Sequence, residues 1–499
     1  MNYEIKSQKS STILILAILL ISSCNQFYGA SPSTPAPIPA STNTPPYESD
    51  TTPWPSLFKP GDPTATPLGS DITDPNFIKG LDAFHADNYY EVIKLMGTVI
   101  EANPNLAPPY RYRAVAYWSL EDCTSGLADA EKALAINPDY AAAWAVRGLM
   151  YSCLGNDEQS LQDYQKALSI DPSLSFAHYN LGVYYRDHGN YEKSLEEYRL
   201  SAAIDPNRSK AWSGQAYVLT QMGRFEECIT DASNAIESDP ERWIAYENRA
   251  YCELSSGDNA SAILDYKVFL DHNPTEVNAW NNLGLAQQNT GLNQEAVNSL
   301  NKALELDPAY YQSNINRGLA YTDLGKYDEA LDDFNRALEF GEIPAAYSGR
   351  GTVYYFLGQY DEAMADLELA MQMMPNRPHS YCFLALTYFE VGRYQDSLDT
   401  AEILNQIEPG CGGQRVLEYQ ARSYYALGDY EQAILYIDRA VAMEPYKMGI
   451  YYQGIIYDDA GKDEQAIFFL EQFLGYLPDE SIFATEIADA KARLVKLKP

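Results

Sequence analysis

The chain has 499 residues, of which 46% are hydrophobic, and 69 Asp and Glu against 35 Lys and Arg give a net charge of −34. The apolar fraction is ample for a packed core, which excludes global disorder. So large an acidic excess would repel a phosphate backbone or an anionic bilayer surface, and we therefore expect no nucleic-acid binding.

The N-terminus has the pattern of an export signal. Two lysines precede a short apolar run from Ile13 to Ile21, which cannot span a bilayer. The four residues that end in Cys24, Ile-Ser-Ser-Cys, resemble a bacterial lipobox, in which the chain is cut before a lipid-bearing cysteine. We predict that residues 1–23 are a lipoprotein signal peptide and that Cys24 is lipidated. The alternative is a simple secretory signal.

Residues 24–70 are rich in Pro, Ser and Thr, as between Pro32 and Pro39. Such a composition cannot bury enough apolar surface to fold, so a disordered linker is predicted. Proline-rich chain extends by about 3.1 Å per residue, so the linker could hold the next domain up to ~100 Å from a membrane. We expect an exported protein, anchored to the bacterial cell membrane or outer membrane, that faces the periplasm or the exterior.

One unit repeats through residues 73–480 with a period near 34. Glycines keep this spacing from Gly155 to Gly325, and prolines keep it from Pro104 to Pro308. Between each glycine and the next proline lies an amphipathic run bounded by a breaker at each end, as expected for a helix. A fixed period of this length is typical of a solenoid. We count twelve two-helix units, followed by a capping helix in residues 481–499.

The residue types in each unit follow a common pattern: aromatic at position 4, small at 8, 20 and 27, Gly at the inter-helix turn, and Pro at 32. One unit fills these positions with Trp280, Gly284, Gly291, Ala296, Ala303 and Pro308. In this pattern the sequence resembles the tetratricopeptide repeat family. The resemblance implies an all-α superhelical solenoid, in which the first helix of each repeat lines a concave face that binds proteins or peptides.

Asparagine recurs at position 6 of the first helix, a position on that concave face. The residues are Asn180, Asn248, Asn282 and Asn316. An amide offers both a donor and an acceptor, so such a row can pair with the main chain of an extended peptide. Such rows resemble those of family members that bind extended chains. The alternative is that asparagine, which is common at this position, only caps or solvates the groove.

Further along the chain the inner positions become aromatic. The residues are Tyr355, Phe356, Phe383, Phe389, Tyr419, Tyr425, Tyr451 and Tyr452. Aromatic side chains on a concave face would favour the hydrophobic anchors of a partner. Packing between units is expected to use some of the eight, and self-association is an alternative role for this surface.

Six cysteines remain besides Cys24, and in an exported chain disulfides can persist. In this architecture the second helix of one unit packs on the first helix of the next, which places some cysteines at matched depth across one interface. The candidate pairs are Cys123 with Cys153, Cys228 with Cys252 and, as a third possibility, Cys382 with Cys411. The alternative is that small buried cysteines replace alanine.

Motifs for catalysis are missing from the sequence. There is no HExxH pair, no GxxxxGK[ST] loop and no GxSxG elbow, and the five histidines stand at different repeat positions. We therefore predict no catalytic residue, no metal and no cofactor. The predicted function is a membrane-tethered scaffold that binds a protein or extended peptide. The alternatives are an assembly or stability factor for a pilus or cell-envelope complex, and a glycan-recognising accessory of an envelope enzyme.

Overall fold

The computed structural model describes residues 74–443, 445–476 and 483–498. These residues form 25 helices and, within the described ranges, no strand. The all-α repeat fold predicted from the sequence is confirmed. The expected signal peptide in residues 1–23, the lipid on Cys24 and the linker in residues 24–70 lie outside the described residues.

The chain divides into two compact units, which we call the N-terminal unit, up to His272, and the C-terminal unit, from Asn273. The helices of the N-terminal unit are α1 (Pro75–His85), α2 (Tyr89–Ala102), α3 (Ala107–Ser119), α4 (Cys123–Ile136), α5 (Ala141–Cys153), α6 (Asp157–Ile170), α7 (Ser175–Asp187), α8 (Tyr191–Ile204), α9 (Ser209–Gln221), α10 (Phe225–Ser238), α11 (Trp243–Ser256) and α12 (Asn259–His272). The helices of the C-terminal unit are α13 (Val277–Asn289), α14 (Asn293–Leu306), α15 (Tyr311–Asp323), α16 (Tyr327–Leu338), α17 (Pro344–Leu357), α18 (Tyr360–Met373), α19 (Pro378–Glu390), α20 (Tyr394–Ile407), α21 (Gly413–Ala426), α22 (Tyr430–Met443), α23 (Lys447–Asp459), α24 (Asp463–Gly475) and α25 (Ala484–Leu497). Each unit holds six helix pairs, in which the odd-numbered helix is the first helix of a repeat, and α25 follows the last pair.

The turn inside each repeat needs a left-handed residue. Glycine supplies it at ten of the twelve turns, for example Gly155 with φ 75° and Gly291 with φ 78°. Glycine tolerates this conformation because it has no Cβ. The first two repeats instead hold Asp87 and Glu121 at φ 55° and 63°, so the turn survives there with a less suitable residue.

The aromatic residue at position 4 closes the loop that precedes its helix. In six repeats its polar atom is hydrogen-bonded to the carbonyl of a proline six residues earlier, at 2.8–3.1 Å. The pairs are Tyr110 with Pro104, Trp144 with Pro138, His178 with Pro172, Trp212 with Pro206, Trp280 with Pro274 and Tyr381 with Pro375. This bond explains why position 4 prefers a ring that carries an N–H or O–H group.

The small residue at position 8 lets the two helices of a repeat approach closely. A Cβ added at this glycine would lie 2.5–2.9 Å from a large side chain 16 residues later. The pairs are Gly148 with Tyr164, Gly182 with Tyr198, Gly284 with Leu300, Gly318 with Phe334, Gly351 with Leu367 and Gly454 with Leu470. The core of each repeat is therefore a large side chain seated against a glycine.

An arginine at position 7 pairs with an aspartate at position 23 in five repeats. The guanidinium donates two hydrogen bonds of 2.5–2.9 Å, one to each carboxylate oxygen. The pairs are Arg113 with Asp129, Arg147 with Asp163, Arg249 with Asp265, Arg317 with Asp333 and Arg350 with Asp366. Bidentate pairs of this kind fix the two helices in register as well as joining them.

Two disulfides join consecutive repeats in the N-terminal unit. Cys123 on α4 is bonded to Cys153 on α5, and Cys228 on α10 is bonded to Cys252 on α11. The Cα atoms lie 6.3 Å apart in both pairs, within the range that a disulfide can bridge. Cys382 and Cys411 are thiols in the structure and lie in one apolar cluster, so the third pair stays a prediction.

Within each unit the first helices form a layer of their own. Consecutive first helices contact each other, as α3 contacts α5 and α13 contacts α15, whereas consecutive second helices in the described residues make little or no direct contact. In a curved stack, the helices on the inner side lie closer together than those on the outer side. Contact between the first helices of consecutive repeats therefore marks the inner side. The first helices therefore line the inner face of each unit, as the family resemblance implied.

Candidate functional site

Polar amides meet on the inner face of the C-terminal unit, on α13 and α15. Asn281 Oδ1 accepts hydrogen bonds from Asn316 Nδ2 and Ser313 Oγ, both at 3.0 Å. Asn281 Nδ2 in turn donates to Asn282 Oδ1 at 3.2 Å, and Gln288 Nε2 donates to Asp323 Oδ2 at 2.8 Å. We call Asn281, Asn282, Gln288 and Asn316 the amide cluster.

The amide cluster offers hydrogen-bonding atoms that the protein leaves unused. Gln288 is 3% exposed, and its Oε1 is buried without a hydrogen bond among the described residues. The structure also records no hydrogen bond within that part of the chain for Asn316 Oδ1 or Asn282 Nδ2. Gln288 Oε1 is buried and therefore closed to a partner, whereas Asn282 and Asn316 are half-buried and can be reached.

The four predicted asparagines have different environments. Asn282 and Asn316 belong to the amide cluster. Asn248 donates from Nδ2 to the Ser213 carbonyl of the preceding repeat at 3.4 Å. Asn180 is buried, and its Nδ2 donates to the Phe176 carbonyl of its own helix at 2.8 Å. Three of the four, Asn180, Asn248 and Asn316, thus use their amide donors for contacts within the protein, which the row of asparagines in the sequence could not reveal. A role of the four residues in peptide binding stays a prediction.

Three of the eight predicted aromatic residues are buried. Tyr355, Phe383 and Tyr419 are 8%, 2% and 6% exposed. The rings of Tyr355 and Phe383 meet edge to face with centroids 5.7 Å apart, and the hydroxyls of Tyr355 and Tyr419 lie 3.3 Å apart. Packing between first helices covers these side chains, and they are not available for direct contact with a partner.

The other five aromatic residues, Phe356, Phe389, Tyr425, Tyr451 and Tyr452, are half-buried. The Arg422 guanidinium carbon lies 4.6 Å from the ring centroids of both Phe389 and Tyr452, in a cation–π arrangement. Tyr451 donates to Asp489 at 2.9 Å, and burial together with this bond raises its pKa. These contacts make the predicted aromatic face a network of rings and charges rather than an open apolar patch.

Two arginines that precede first helices of the N-terminal unit reach back to the repeat before them. Arg208 donates to Ser175 Oγ at 3.0 Å and Arg242 to Ser213 Oγ at 2.8 Å, so each contacts the first helix of the preceding repeat. Arg208 is buried and also pairs with Asp205. Sequence reasoning missed these contacts because both arginines lie outside the helices.

The described residues provide neither a cluster of metal ligands nor a membrane-spanning helix. No group of three or more His, Cys, Asp or Glu side chains is placed to hold a metal ion there. In the same ranges, no helix combines the length and the apolar character needed to cross a bilayer.

Family models confirm what the repeat geometry indicates. Models described as tetratricopeptide repeat match residues 175–208, 214–277, 277–310, 312–340, 344–377 and 420–479, and one described as TPR repeat matches residues 148–187. Together these matches cover more than half of the chain. The chain belongs to the tetratricopeptide repeat family. As a tetratricopeptide repeat protein it has the fold of a general protein–protein interaction scaffold.

Solved structures of other tetratricopeptide repeat proteins are similar in fold. The APC/C hetero-tetramer Cut9–Hcn1 is 15% identical over 85% of this chain and 96% of that chain, with a TM-score of 0.46. Yeast Tom70 is 18% identical over 84% and 95%, with a TM-score of 0.35. A tetratricopeptide repeat protein from Parabacteroides merdae is 19% identical over 50% and 98%, with a TM-score of 0.38. No curated protein matches the sequence.

Proposed function

We propose that this tetratricopeptide repeat protein is a non-enzymatic, membrane-tethered scaffold that binds an extended segment of a partner protein on the inner face of its first helices. The lipobox at Cys24 and the Pro/Ser/Thr-rich composition of residues 24–70 support the tether. The fold supports the scaffold role. An assembly or stability factor for a pilus or cell-envelope complex would use the same inner face.

The amide cluster carries the proposal. An extended peptide presents N–H and C=O groups along its whole length, and Asn316 Oδ1 and Asn282 Nδ2 offer a matching acceptor and donor. Asp323 accepts a hydrogen bond from the buried Gln288. Recognition of main chain by neutral amides depends little on the partner's side-chain charges, and we expect such binding to persist at high salt.

A glycan-recognising role is less well supported. Sugar rings stack on open aromatic faces, whereas Tyr355, Phe383 and Tyr419 are buried. Tyr451 further directs its hydroxyl to Asp489. These aromatic side chains therefore contribute to the packing of the C-terminal unit and are poorly placed to stack on a sugar ring.

Partner binding is tested with the double variant Asn282→Ala, Asn316→Ala, which removes the two half-buried amides. Immobilised protein from Asn25 onward is exposed to a membrane and envelope extract of its own source, and retained proteins are quantified by mass spectrometry. The control is Asn298→Ala, because Asn298 is exposed on the second helix α14. A partner that the double variant retains at least ten-fold less than the control supports the proposal. Equal retention by both would contradict it.

The tether is tested separately by the substitution Cys24→Ser. We expect the parent chain to incorporate labelled fatty acid in its own cells and to sediment with membranes, and the variant to incorporate none. Equal labelling of the two chains would overturn lipidation at Cys24, without bearing on the inner face.

A further inference from the structure

Two cysteine thiols lie at one junction of helices in the C-terminal unit. Cys382 stands at position 5 of α19, a first helix, and is fully buried. Cys411 lies in the loop between α20 and α21 and is half-buried. Both belong to one apolar cluster, which also contains Leu404 of α20 and Val416 of α21. The two side chains therefore share one packed environment, although solvent reaches only Cys411.

The loop that carries Cys411 is longer than its counterparts. Gly392 and Gly428, the turn glycines of the two repeats that it joins, lie 36 residues apart, whereas the spacing elsewhere is 33 or 34. The added residues fall in the sequence Pro-Gly-Cys-Gly-Gly at residues 409–413. The other repeats form without such an insertion, so the repeat fold itself does not require a cysteine at this point.

A glycine of this loop brings its main chain against Cys382. Gly412 is buried and has φ 75°, a left-handed conformation that favours glycine. A Cβ added at Gly412 would lie 3.2 Å from Cys382 Sγ. Because glycine has no Cβ, the main chain one residue after Cys411 lies directly against the buried sulfur. The loop thus places the second cysteine beside the first.

We propose that Cys382 and Cys411 form a redox site, in which Cys411 reacts with a low-molecular-weight disulfide and Cys382 then closes an internal disulfide bond. The order follows from access, since solvent reaches Cys411 and not Cys382. The bond would tie the loop before α21 to α19, so two first helices of the inner layer become joined. The amide cluster has no part in this reaction, and the two proposals can fail separately.

The reaction consists of two thiol–disulfide exchanges. The Cys411 thiolate attacks one sulfur of the oxidant, which breaks the S–S bond of the oxidant, forms a mixed disulfide and releases one small thiol. The Cys382 thiolate then attacks Cys411 Sγ, which forms the internal bond and releases the second small thiol. The oxidant gains two electrons, and the protons of the two cysteine thiols leave with the small thiols. A reduced small thiol reopens the bond by the reverse exchanges at Cys411.

The order of reaction is tested with two single variants. The protein from Asn25 onward, Cys382→Ser and Cys411→Ser are treated with dilute reduced glutathione and then with oxidised glutathione. Each is denatured in alkylating reagent and mapped by peptide mass spectrometry. We expect a cross-link between Cys382 and Cys411 in the parent, one retained glutathione on Cys411 in the Cys382→Ser variant, and an unmodified Cys382 in the Cys411→Ser variant.

Three results would overturn the proposal. Glutathione that stays on Cys411 of the parent would show that Cys382 does not close the bond. Glutathione on Cys382 in the Cys411→Ser variant, at the level found on Cys411 in the Cys382→Ser variant, would show that access does not set the order. A parent chain with neither cross-link nor glutathione would show that the pair is unreactive. Circular dichroism of both variants establishes folding.

A second test uses the unaltered chain. The bond between Cys228 and Cys252 is the internal control, because both residues are 0% exposed. When the oxidised protein is placed in reduced glutathione, the bond between Cys382 and Cys411 should open at least ten-fold faster than the control bond, as followed by alkylation and peptide mapping. Equal rates would show that opening depends on unfolding of the chain rather than on access to Cys411, and would overturn the proposal.

Discussion

At the scale of single residues, Asp231 departs from the arginine–aspartate rule. It occupies position 23, but position 7 of its repeat is Gln215, which is 1% exposed and donates to the Tyr198 carbonyl at 3.5 Å. Asp231 is 9% exposed, and its Oδ2 is buried without a hydrogen bond among the described residues. Burial, opposed by Arg199 and Arg224 and reinforced by Glu227, raises the pKa of Asp231 to about 6.

We predict that Asp231→Asn stabilises the protein at neutral pH. Because the pKa of Asp231 in the folded state exceeds the ordinary 3.8, its effect on stability is favourable at low pH and is lost as the pH rises from 3.8 through about 6. Asparagine cannot ionise, so the variant should gain about 1–2 kcal/mol at pH 7.5 and nothing at pH 3.5. Urea unfolding at both pH values measures the two differences.

The matched control is Asp163→Asn, at the same repeat position. Asp163 accepts two bonds from Arg147 at 2.7 and 2.8 Å. Breaking this pair leaves a partly buried cation, so we expect a loss of about 3 kcal/mol at pH 7.5. A destabilising effect of Asp231→Asn similar to that of the control would contradict the assignment of Asp231 as an unsatisfied acid.

At the scale of helices, the glycine at position 8 sets how closely the two helices of a repeat can pack. We predict that Gly284→Ala destabilises by about 1–3 kcal/mol, because its Cβ would lie 2.5 Å from Leu300 Cγ. Gly97→Ala is the control, since a Cβ there lies 3.6 Å from its nearest neighbour, an Arg113 nitrogen, and alanine favours helix by about 1 kcal/mol over glycine. Chemical unfolding that finds equal losses in the two variants would reject this account of the helix spacing.

The two disulfides join the second helix of one repeat to the first helix of the next. We predict that the unreduced protein from Asn25 onward, unfolded in guanidinium, reacts with thiol reagent at no more than two sulfurs, Cys382 and Cys411, and at none if these two also form a disulfide, and that six react after reduction. Six before reduction would show that neither bond forms in the exported protein. If both form, each should stabilise by about 3 kcal/mol for its loop length.

The sequence predicts the helices and their pairing better than it predicts the contacts between side chains. Period, turn glycines and terminating prolines follow from local backbone chemistry, so the helix pairs were accessible from spacing alone. The candidate cysteine pairs also needed the packing of neighbouring repeats that the family resemblance implied. The pair of Arg147 with Asp163 was not, because charged residues on amphipathic helices usually face solvent. Asn180 likewise looked like its neighbours at position 6, yet its amide bonds to its own helix. Which polar atom is used in packing depends on contacts that a repeat pattern does not encode.

At the scale of the molecule, the net charge of −34 opposes compactness. The five bidentate arginine–aspartate pairs are largely shielded from solvent, whereas most carboxylates stand on exposed helix faces. Added salt therefore weakens the repulsion between exposed carboxylates more than the attraction within the shielded arginine–aspartate pairs. We predict that the thermal unfolding midpoint rises by several degrees between 20 and 500 mM NaCl. A falling midpoint would show that exposed ion pairs outweigh the repulsion.

Both disulfides of the described residues lie in the N-terminal unit, which has a mechanical consequence. Cys123–Cys153 and Cys228–Cys252 span 30 and 24 residues. A stretched chain extends at most about 3.3–3.6 Å per residue, so oxidation withholds roughly 190 Å of contour length. When the protein is pulled by its ends, the fully extended length of the oxidised form should be shorter than that of the reduced form by that amount. These two bonds restrict extension only in the N-terminal unit, the part of the chain nearest the expected anchor.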